Sequence, residues 1–159
     1  MTSVILRRIE TPLQRMVQRR GGIKVSEALG AAAANLETLE EVCHAELDLR
    51  LRFVMTLLER DPAVRPPDED LAEVMSQANA ALTVCGVLKL PMLGRALIML
   101  CALTDALRHT TYWPAGALTP AVNLVTLTRS RRIGAAAAET LLGELQRCLA
   151  RYIEHSTDP

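Results

Sequence analysis

Apolar residues recur along this chain at alternating spacings of three and four positions, which is the period of an α-helix. No segment alternates apolar and polar residues for long enough to predict a strand. Glycine and proline mark the breaks between the periodic segments. The pattern predicts six helices, over residues 1–22, 24–59, 68–88, 91–109, 119–130 and 134–154.

The segment 24–59 carries the longest apolar seam of the chain. A helix of this length would extend for about 50 Å and exceed the other predicted helices by roughly 20 Å or more. Part of its seam would therefore need a second cover, either the segment 1–22 or a second copy of the chain. The seam consists of Val25, Leu29, Ala32, Leu36, Leu39, Cys43, Leu47, Leu51, Val54 and Leu58.

The segment 91–109 is apolar on nearly every side, which predicts that it lies at the centre of the molecule. Together the segments predict an all-α protein, most simply an antiparallel four-helix bundle with one long helix and an extra N-terminal helix. We expect a basic amphipathic helix over residues 1–22 and the bundle over residues 23–155.

Composition agrees with packed helices and narrows the classes of function. Half of the 159 residues are apolar but only 3% are aromatic, a balance that favours helices over sheets. Eighteen basic and eighteen acidic residues cancel, so no overall charge draws the protein to nucleic acid or anionic lipid. The four cysteines form no CxxC pair, so we expect reduced core residues and neither a disulfide framework nor a metal site. No apolar run is long enough to span a bilayer, and we expect a cytoplasmic protein without a cofactor.

The segment 68–88 presents two different faces on a helical wheel. One face is apolar and is predicted to point into the bundle: Leu71, Val74, Met75, Ala78, Leu82 and Cys85. The other is a stripe of small or polar residues: Ala72, Ser76, Asn79, Thr83 and Gly86. Small side chains on an outward stripe let a partner helix or domain approach closely, although Ala-rich helices also use such stripes for internal packing.

From Ala78 onwards, the sequence ANAALTVCGVLKLPMLGRAL resembles the central hairpin of histidine-phosphotransfer (HPt) domains. Ala78 matches the alanine before the family's phosphorylated histidine, and Gly86 matches a later glycine. Leu90, Pro91 and Leu93 match the turn between the two helices. The resemblance covers residues 68–109 at the widest and implies an HPt-like helical bundle that contacts response-regulator receivers or histidine kinases.

The resemblance departs from the family at the residues that carry its chemistry. Asn79 stands where the family has its histidine, Leu82 where it has a lysine, and Thr83 where it has a glycine. A carboxamide is not a nucleophile, so Asn79 would not accept a phosphoryl group. Leu82 would not offset the charge of phosphoryl oxygens. We therefore expect a pseudo-HPt adaptor of a bacterial phosphorelay that binds its partner without carrying phosphate.

The predicted docking surface is the stripe together with two cations. Lys89 and Arg95 would flank the stripe with positive charge facing the acidic pocket of a receiver. The wider pattern, in which LPMLGRALIMLCALTDALR precedes a tryptophan loop and two helices, also resembles the small CheE-like proteins of chemotaxis clusters.

Phosphotransfer through another histidine is one alternative function. His44 has Glu40 and Asp48 one turn away on either side and could be an exposed nucleophile. Ala45 follows it, whereas sensor kinases usually place an acidic residue there. A solvated histidine among acids is the simpler interpretation, and His109 is more simply a favourable charge at a helix C-terminus.

Dephosphorylation of a receiver is a second alternative. Receiver phosphatases use an amide side chain to orient water, paired with an acid. Asn79 could be that amide, or Glu73 and Gln77 could form a separate acid and amide pair. Residues 77 and 79 lie about 200° apart on a helix, so the two candidates do not share a face.

A plain structural dimer through the long helix is a third alternative. Basic residues near the N-terminus would suit an antiparallel contact with acidic residues of the long helix in another chain, although a solvated surface is the default for both groups. The basic group is Arg7, Arg8, Arg15, Arg19, Arg20 and Lys24, and the acidic group is Glu37, Glu40, Glu41 and Glu46.

Overall fold

The computed structural model describes residues 24–59 and 61–157, and only the backbone of residues 36 and 155–157. These ranges contain five α-helices and no strand. They are α1 (Val25–Leu58), α2 (Asp68–Val87), α3 (Pro91–Arg108), α4 (Thr119–Arg129) and α5 (Ala135–Thr157). The all-α class is confirmed for this part of the chain, and each helix lies within three residues of its predicted bounds. The helix predicted over residues 1–22 lies outside the described residues, and the antiparallel bundle and the domain bounds stay predictions.

The starts of α2, α3 and α4 follow from local sequence. Three acidic residues, Asp68 to Asp70, occupy the positively charged N-terminal turn of α2. Pro91 is the first residue of α3, where a helix needs no backbone N–H donor. Thr119 is the first residue of α4, and Leu118 holds the N-cap position before it. Its carbonyl accepts the first helical hydrogen bond, from the N–H of Val122 at 3.0 Å, because a tight turn leads directly into the helix.

The ends of α2 and α4 share one backbone motif. After α2, Lys89 has a φ of 52°, and the N–H of the next residue donates to the carbonyl of Cys85 at 3.0 Å. After α4, Arg131 has a φ of 54°, and the N–H of the next residue donates to the carbonyl of Leu127 at 3.0 Å. This is the Schellman motif, in which glycine usually holds the left-handed position. Each helix is therefore followed by a residue other than glycine, Lys89 or Arg131, at a position that favours glycine.

By its contacts, the structure divides into two units, residues 1–39 and 40–159. Within the second unit α3 is central and packs against α2, α4 and α5. Its fully buried residues include Leu97, Leu100, Leu103 and Leu107. The central position predicted from the apolar character of this segment is confirmed.

The seam of α1 has a different environment on each side of the division between the units. Leu47 and Val54, in the second unit, are almost completely buried. Val25 and Leu29, in the described part of the first unit, are 75% and 66% exposed. The apolar period therefore runs along the whole of α1, and the core residues that the structure describes on this helix, Leu47, Leu51 and Val54, lie in its C-terminal half. None of the described helices is long and apolar enough to cross a bilayer.

Arg65 joins the start of α2 to the end of α3. Its Nη1 atom donates to the carbonyl of Thr110 at 2.7 Å, and its Nη2 atom donates to the carbonyl of Arg108 at 3.3 Å. Nη2 also lies 2.7 Å from Oδ1 of Asp68. A single guanidinium thus satisfies carbonyl groups that a helix C-terminus leaves open.

Candidate functional site

The predicted stripe of α2 lies on the surface. Ser76, Asn79, Thr83 and Gly86 are exposed, and Ala72 is half-buried. On the opposite face, the residues predicted to point inward are buried or half-buried: Leu71, Val74, Ala78 and Cys85 are buried, and Met75 and Leu82 are half-buried. Burial therefore agrees with the two predicted faces of this helix, except that Ala72, predicted to face outward, is half-buried.

Asn79 lies at the centre of this stripe and contacts the neighbouring helix. Its Oδ1 atom is 3.8 Å from Sγ of Cys101 on α3, a distance at which the thiol can donate a weak hydrogen bond. The hydroxyl of Thr83 donates to the backbone carbonyl of Asn79 at 3.3 Å. Gly86 would have open space around an added Cβ, so packing within the described chain does not require glycine there.

Two residues of α3 extend this surface, and sequence reasoning did not include them in it. Cys101 is half-buried beside Asn79, and burial raises the pKa of its thiol, so the thiol stays protonated at neutral pH. Ile98, one turn earlier, is 54% exposed although its helix is central. A signal existed in the sequence, because Arg95 and Asp105 lie about 80° apart on the helix and Ile98 lies between them. We call the α2 stripe together with Ile98 and Cys101 the α2–α3 face.

The two cations predicted to flank the stripe differ in their surroundings. Lys89 is exposed in the turn between α2 and α3, in the left-handed conformation described above. Arg95 forms an ion pair with Glu139 of α5, and both side chains are about half exposed. The charge of Arg95 is therefore partly balanced within the chain, and Lys89 is the stronger source of positive charge at this edge.

The proposed acid and amide pair of a phosphatase is part of a contact between α1 and α2. Nε2 of Gln77 donates to Oε1 of Glu73 at 2.6 Å. Nη1 of Arg50 on α1 donates to Oε1 of Gln77 at 2.9 Å, and Arg50 is also paired with Glu46. Both ends of the Gln77 amide are thus engaged within the chain. This geometry favours a structural role over the orientation of an attacking water molecule.

His44 lies beside an ion pair between α1 and α4. The guanidinium of Arg129 donates to both carboxylate oxygens of Asp48, at 2.8 and 3.0 Å, and this hydrogen bonding is the main reason that the pKa of Asp48 lies below its usual value. Arg129 Nη2 is also 3.4 Å from Nδ1 of His44, and Nε2 of His44 is 3.8 Å from a carboxylate oxygen of Glu40. A phosphoryl group on Nε2 would face this negative charge, so the geometry does not favour His44 as the phosphorylated residue.

His109 is exposed at the C-terminal cap of α3, with Nε2 3.6 Å from Oδ1 of Asp105. The position agrees with a favourable charge at a helix end. Among the described residues, no group of three or more histidine, cysteine or acidic side chains could hold a metal ion. All four cysteines are free thiols, with Cys85 buried and Cys43, Cys101 and Cys148 half-buried.

Comparison with known proteins identifies no similar family or structure. No protein-family model, no curated protein and no solved structure matches the chain.

Proposed function

We propose that the chain is a non-catalytic signalling adaptor of a bacterial two-component or chemotaxis phosphorelay. It would be a pseudo-HPt domain, with the antiparallel four-helix arrangement of that family, and it would bind a response-regulator receiver or a histidine kinase without carrying phosphate. The observation that carries the proposal is the exposed α2–α3 face with Asn79 at its centre. In HPt domains, which this sequence resembles, the position of Asn79 holds the histidine that faces a receiver.

The side chains at this face can bind a partner but lack the groups for phosphotransfer. Asn79 offers an amide, which donates and accepts hydrogen bonds but does not attack an aspartyl phosphate. Leu82 is half-buried and lies against α3, 3.3 Å from where a Cβ on Gly94 would be. It supplies no charge to a phosphoryl group, so a partner would bind here without exchanging phosphate.

The shape and chemistry of the face suit a protein partner. The small side chains of Ser76, Thr83 and Gly86 leave room for a close approach of another backbone. Ile98 adds an exposed apolar side chain, and apolar anchors surrounded by polar residues are typical of interface centres. Lys89 adds a positive charge at the edge, which suits the acidic pocket of a receiver and would speed association.

A binding experiment with Thr83→Arg tests this proposal. Purified chain would be titrated calorimetrically with the receiver domains of its own genome, with and without beryllofluoride activation. The long arginine side chain should obstruct the face and weaken binding by at least tenfold. Thr140→Arg on α5 is the matched control, because Thr140 is exposed and donates to the carbonyl four residues earlier, as Thr83 does. Equal loss of binding in both variants, or no loss in Thr83→Arg, would remove this face from the proposal.

Phosphate labelling separates the adaptor from the two alternative activities. The chain would be mixed with a phosphorylated receiver, and the label would be followed on both proteins. We expect complex formation, no label on the chain and an unchanged rate of receiver dephosphorylation. Stable label that disappears in His44→Ala would indicate phosphotransfer. Faster loss of label from the receiver would indicate a phosphatase.

A further inference from the structure

The outer side of α1 carries a second apolar face, separate from the one that contributes to the core. Val42, Leu49 and Phe53 are 62%, 57% and 45% exposed. Helical geometry places the three within about 40° of one another around the axis. Single exposed apolar residues are ordinary, but three large ones aligned on one side of a helix are of the kind that marks an interface. We call Val42, Leu49 and Phe53 the outer α1 face.

Charged residues lie along both flanks of this face in the same order. Glu41 and Arg52 lie on one flank, about 20° apart around the helix, and Glu46 and Arg50 lie on the other, about 40° apart. On each flank the acid is nearer the N-terminus and the base is nearer the C-terminus. The face is therefore negative towards one end and positive towards the other.

We propose that the chain forms a homodimer through the outer α1 face, with the two α1 helices antiparallel. A two-fold axis across the helices brings the same flank of each copy together, with the N-terminal part of one beside the C-terminal part of the other. When Val42 lies opposite Phe53 of the second copy, Glu41 falls within about two residues of the position opposite Arg52 of that copy. On the other flank, the same register brings Glu46 within about one residue of the position opposite Arg50. Glu46 and Arg50 already form an ion pair within each chain, so the flank of Glu41 and Arg52 decides the orientation.

This agreement of register favours a second copy of the chain as the partner that covers the outer α1 face. One register aligns the apolar residues and brings acid towards base on both flanks, and it places Leu49 about 4.5 Å along the axis from Leu49 of the second copy. A parallel two-fold pair in register would instead bring opposite flanks together, with Glu41 towards Glu46 and Arg52 towards Arg50 of the second copy, which is repulsive. Self-complementary charge of this kind is what an isologous interface requires.

The patch is small beside a standard interface, which covers about 800 Å² on each partner. We therefore expect a dimer that dissociates on dilution. Dimerisation does not depend on the proposed receiver contact, because the residues that would mediate the two contacts lie on different helices. The two proposals can consequently fail separately.

Sedimentation of the full chain over a range of concentrations tests the dimer. Leu49→Arg should keep the chain monomeric at concentrations where the unmodified chain is dimeric, while its receiver binding stays unchanged. Val64→Arg is the matched control, because Val64 is 59% exposed, close to the 57% of Leu49, but lies in the loop before α2. Glu41→Arg and Arg52→Glu should each weaken the dimer, and the double variant should restore it. A chain that is monomeric throughout, or a dimer that tolerates Leu49→Arg, would overturn the proposal.

Cysteine cross-linking tests the orientation. Under mild oxidation, Leu49→Cys should form a covalent dimer above the background of the unmodified chain. Val42→Cys should not, because the two copies of residue 42 would be about 16 Å apart along the axis. Efficient cross-linking through residue 42 would indicate a parallel pair and would contradict the register. A monomer in which Leu49→Cys is protected from thiol reagents would assign the face to residues 1–23 and would also overturn the proposal.

Discussion

At the scale of single residues, Lys89 and Arg131 hold the same left-handed position after two different helices. A side chain in that conformation is less favourable than glycine by about 1 kcal/mol. We therefore expect Lys89→Gly and Arg131→Gly each to raise the free energy of unfolding by about 0.5–1 kcal/mol, since glycine also has more freedom to lose on folding. Urea denaturation would measure both changes.

The same two variants differ at the proposed docking surface. Lys89 is at the edge of the α2–α3 face, whereas Arg131 follows α4, so only Lys89→Gly should weaken receiver binding. Equal effects on binding would mean that overall charge, and not position, governs the association. A fall in stability for either variant would contradict the strain attributed to its backbone.

The candidate site was predictable from sequence where helical geometry alone decides exposure. The positions of Ser76, Asn79 and Thr83 follow from their spacing along α2, because a helix fixes the direction of each side chain. Ile98 lies between Arg95 and Asp105 on the helix surface, but this signal is weak because apolar residues surround almost the whole of α3 and their exposure depends on which neighbours cover them. The contact between Asn79 and Cys101 was not predictable from sequence, because it joins residues on separate helices.

At the scale of helices, the bonds of Arg65 hold the start of α2 against the end of α3. Arg65→Met keeps most of the aliphatic stem but removes the donors to the carbonyls of Thr110 and Arg108. Leaving part-buried carbonyls without a partner costs about 1–3 kcal/mol, so we expect a loss of that size in the free energy of unfolding. Thermal or urea denaturation would measure it.

Arg147→Met is the control for the loss of a surface charge. Arg147 pairs with Glu144 on the same helix, and both side chains are more than half exposed. Its removal should change stability by less than about 0.5 kcal/mol, as is usual for exposed pairs. If Arg65→Met lowered the free energy of unfolding as little as Arg147→Met, water molecules would have to donate to the carbonyls of Thr110 and Arg108 in place of Arg65.

The helices themselves were predictable because their bounds depend on nearby residues. Proline at the start of α3 and acidic residues at the start of α2 act within a turn or two of the chain. The contacts of Arg65 were not predictable, because its carbonyl partners lie 43 and 45 residues further on. The same holds for the pair between Asp48 and Arg129, which are 81 residues apart.

At the scale of the whole molecule, one helix passes through two environments that its sequence does not distinguish. Leu29 and Leu47 are 18 residues apart, which is five turns of an ideal helix, so the sequence pattern assigns them to the same seam. Both belong to the predicted seam, yet Leu29 is 66% exposed and Leu47 is 0% exposed. Periodicity identifies the face of a helix but not the length over which other parts of the chain cover it.

This difference predicts unequal effects of the same substitution. Leu47→Ala should lower the free energy of unfolding by about 2–5 kcal/mol, because it removes buried methyl groups and leaves a cavity. Leu29→Ala should change it by less than about 0.5 kcal/mol, because an exposed leucine loses little on truncation and alanine is the better helix former. Denaturation of the two variants under identical conditions compares them directly. A large loss in Leu29→Ala would mean that residues 24–39 are covered in solution, by the segment 1–22 or by another chain, and sedimentation of that variant would show whether the cover is a second copy.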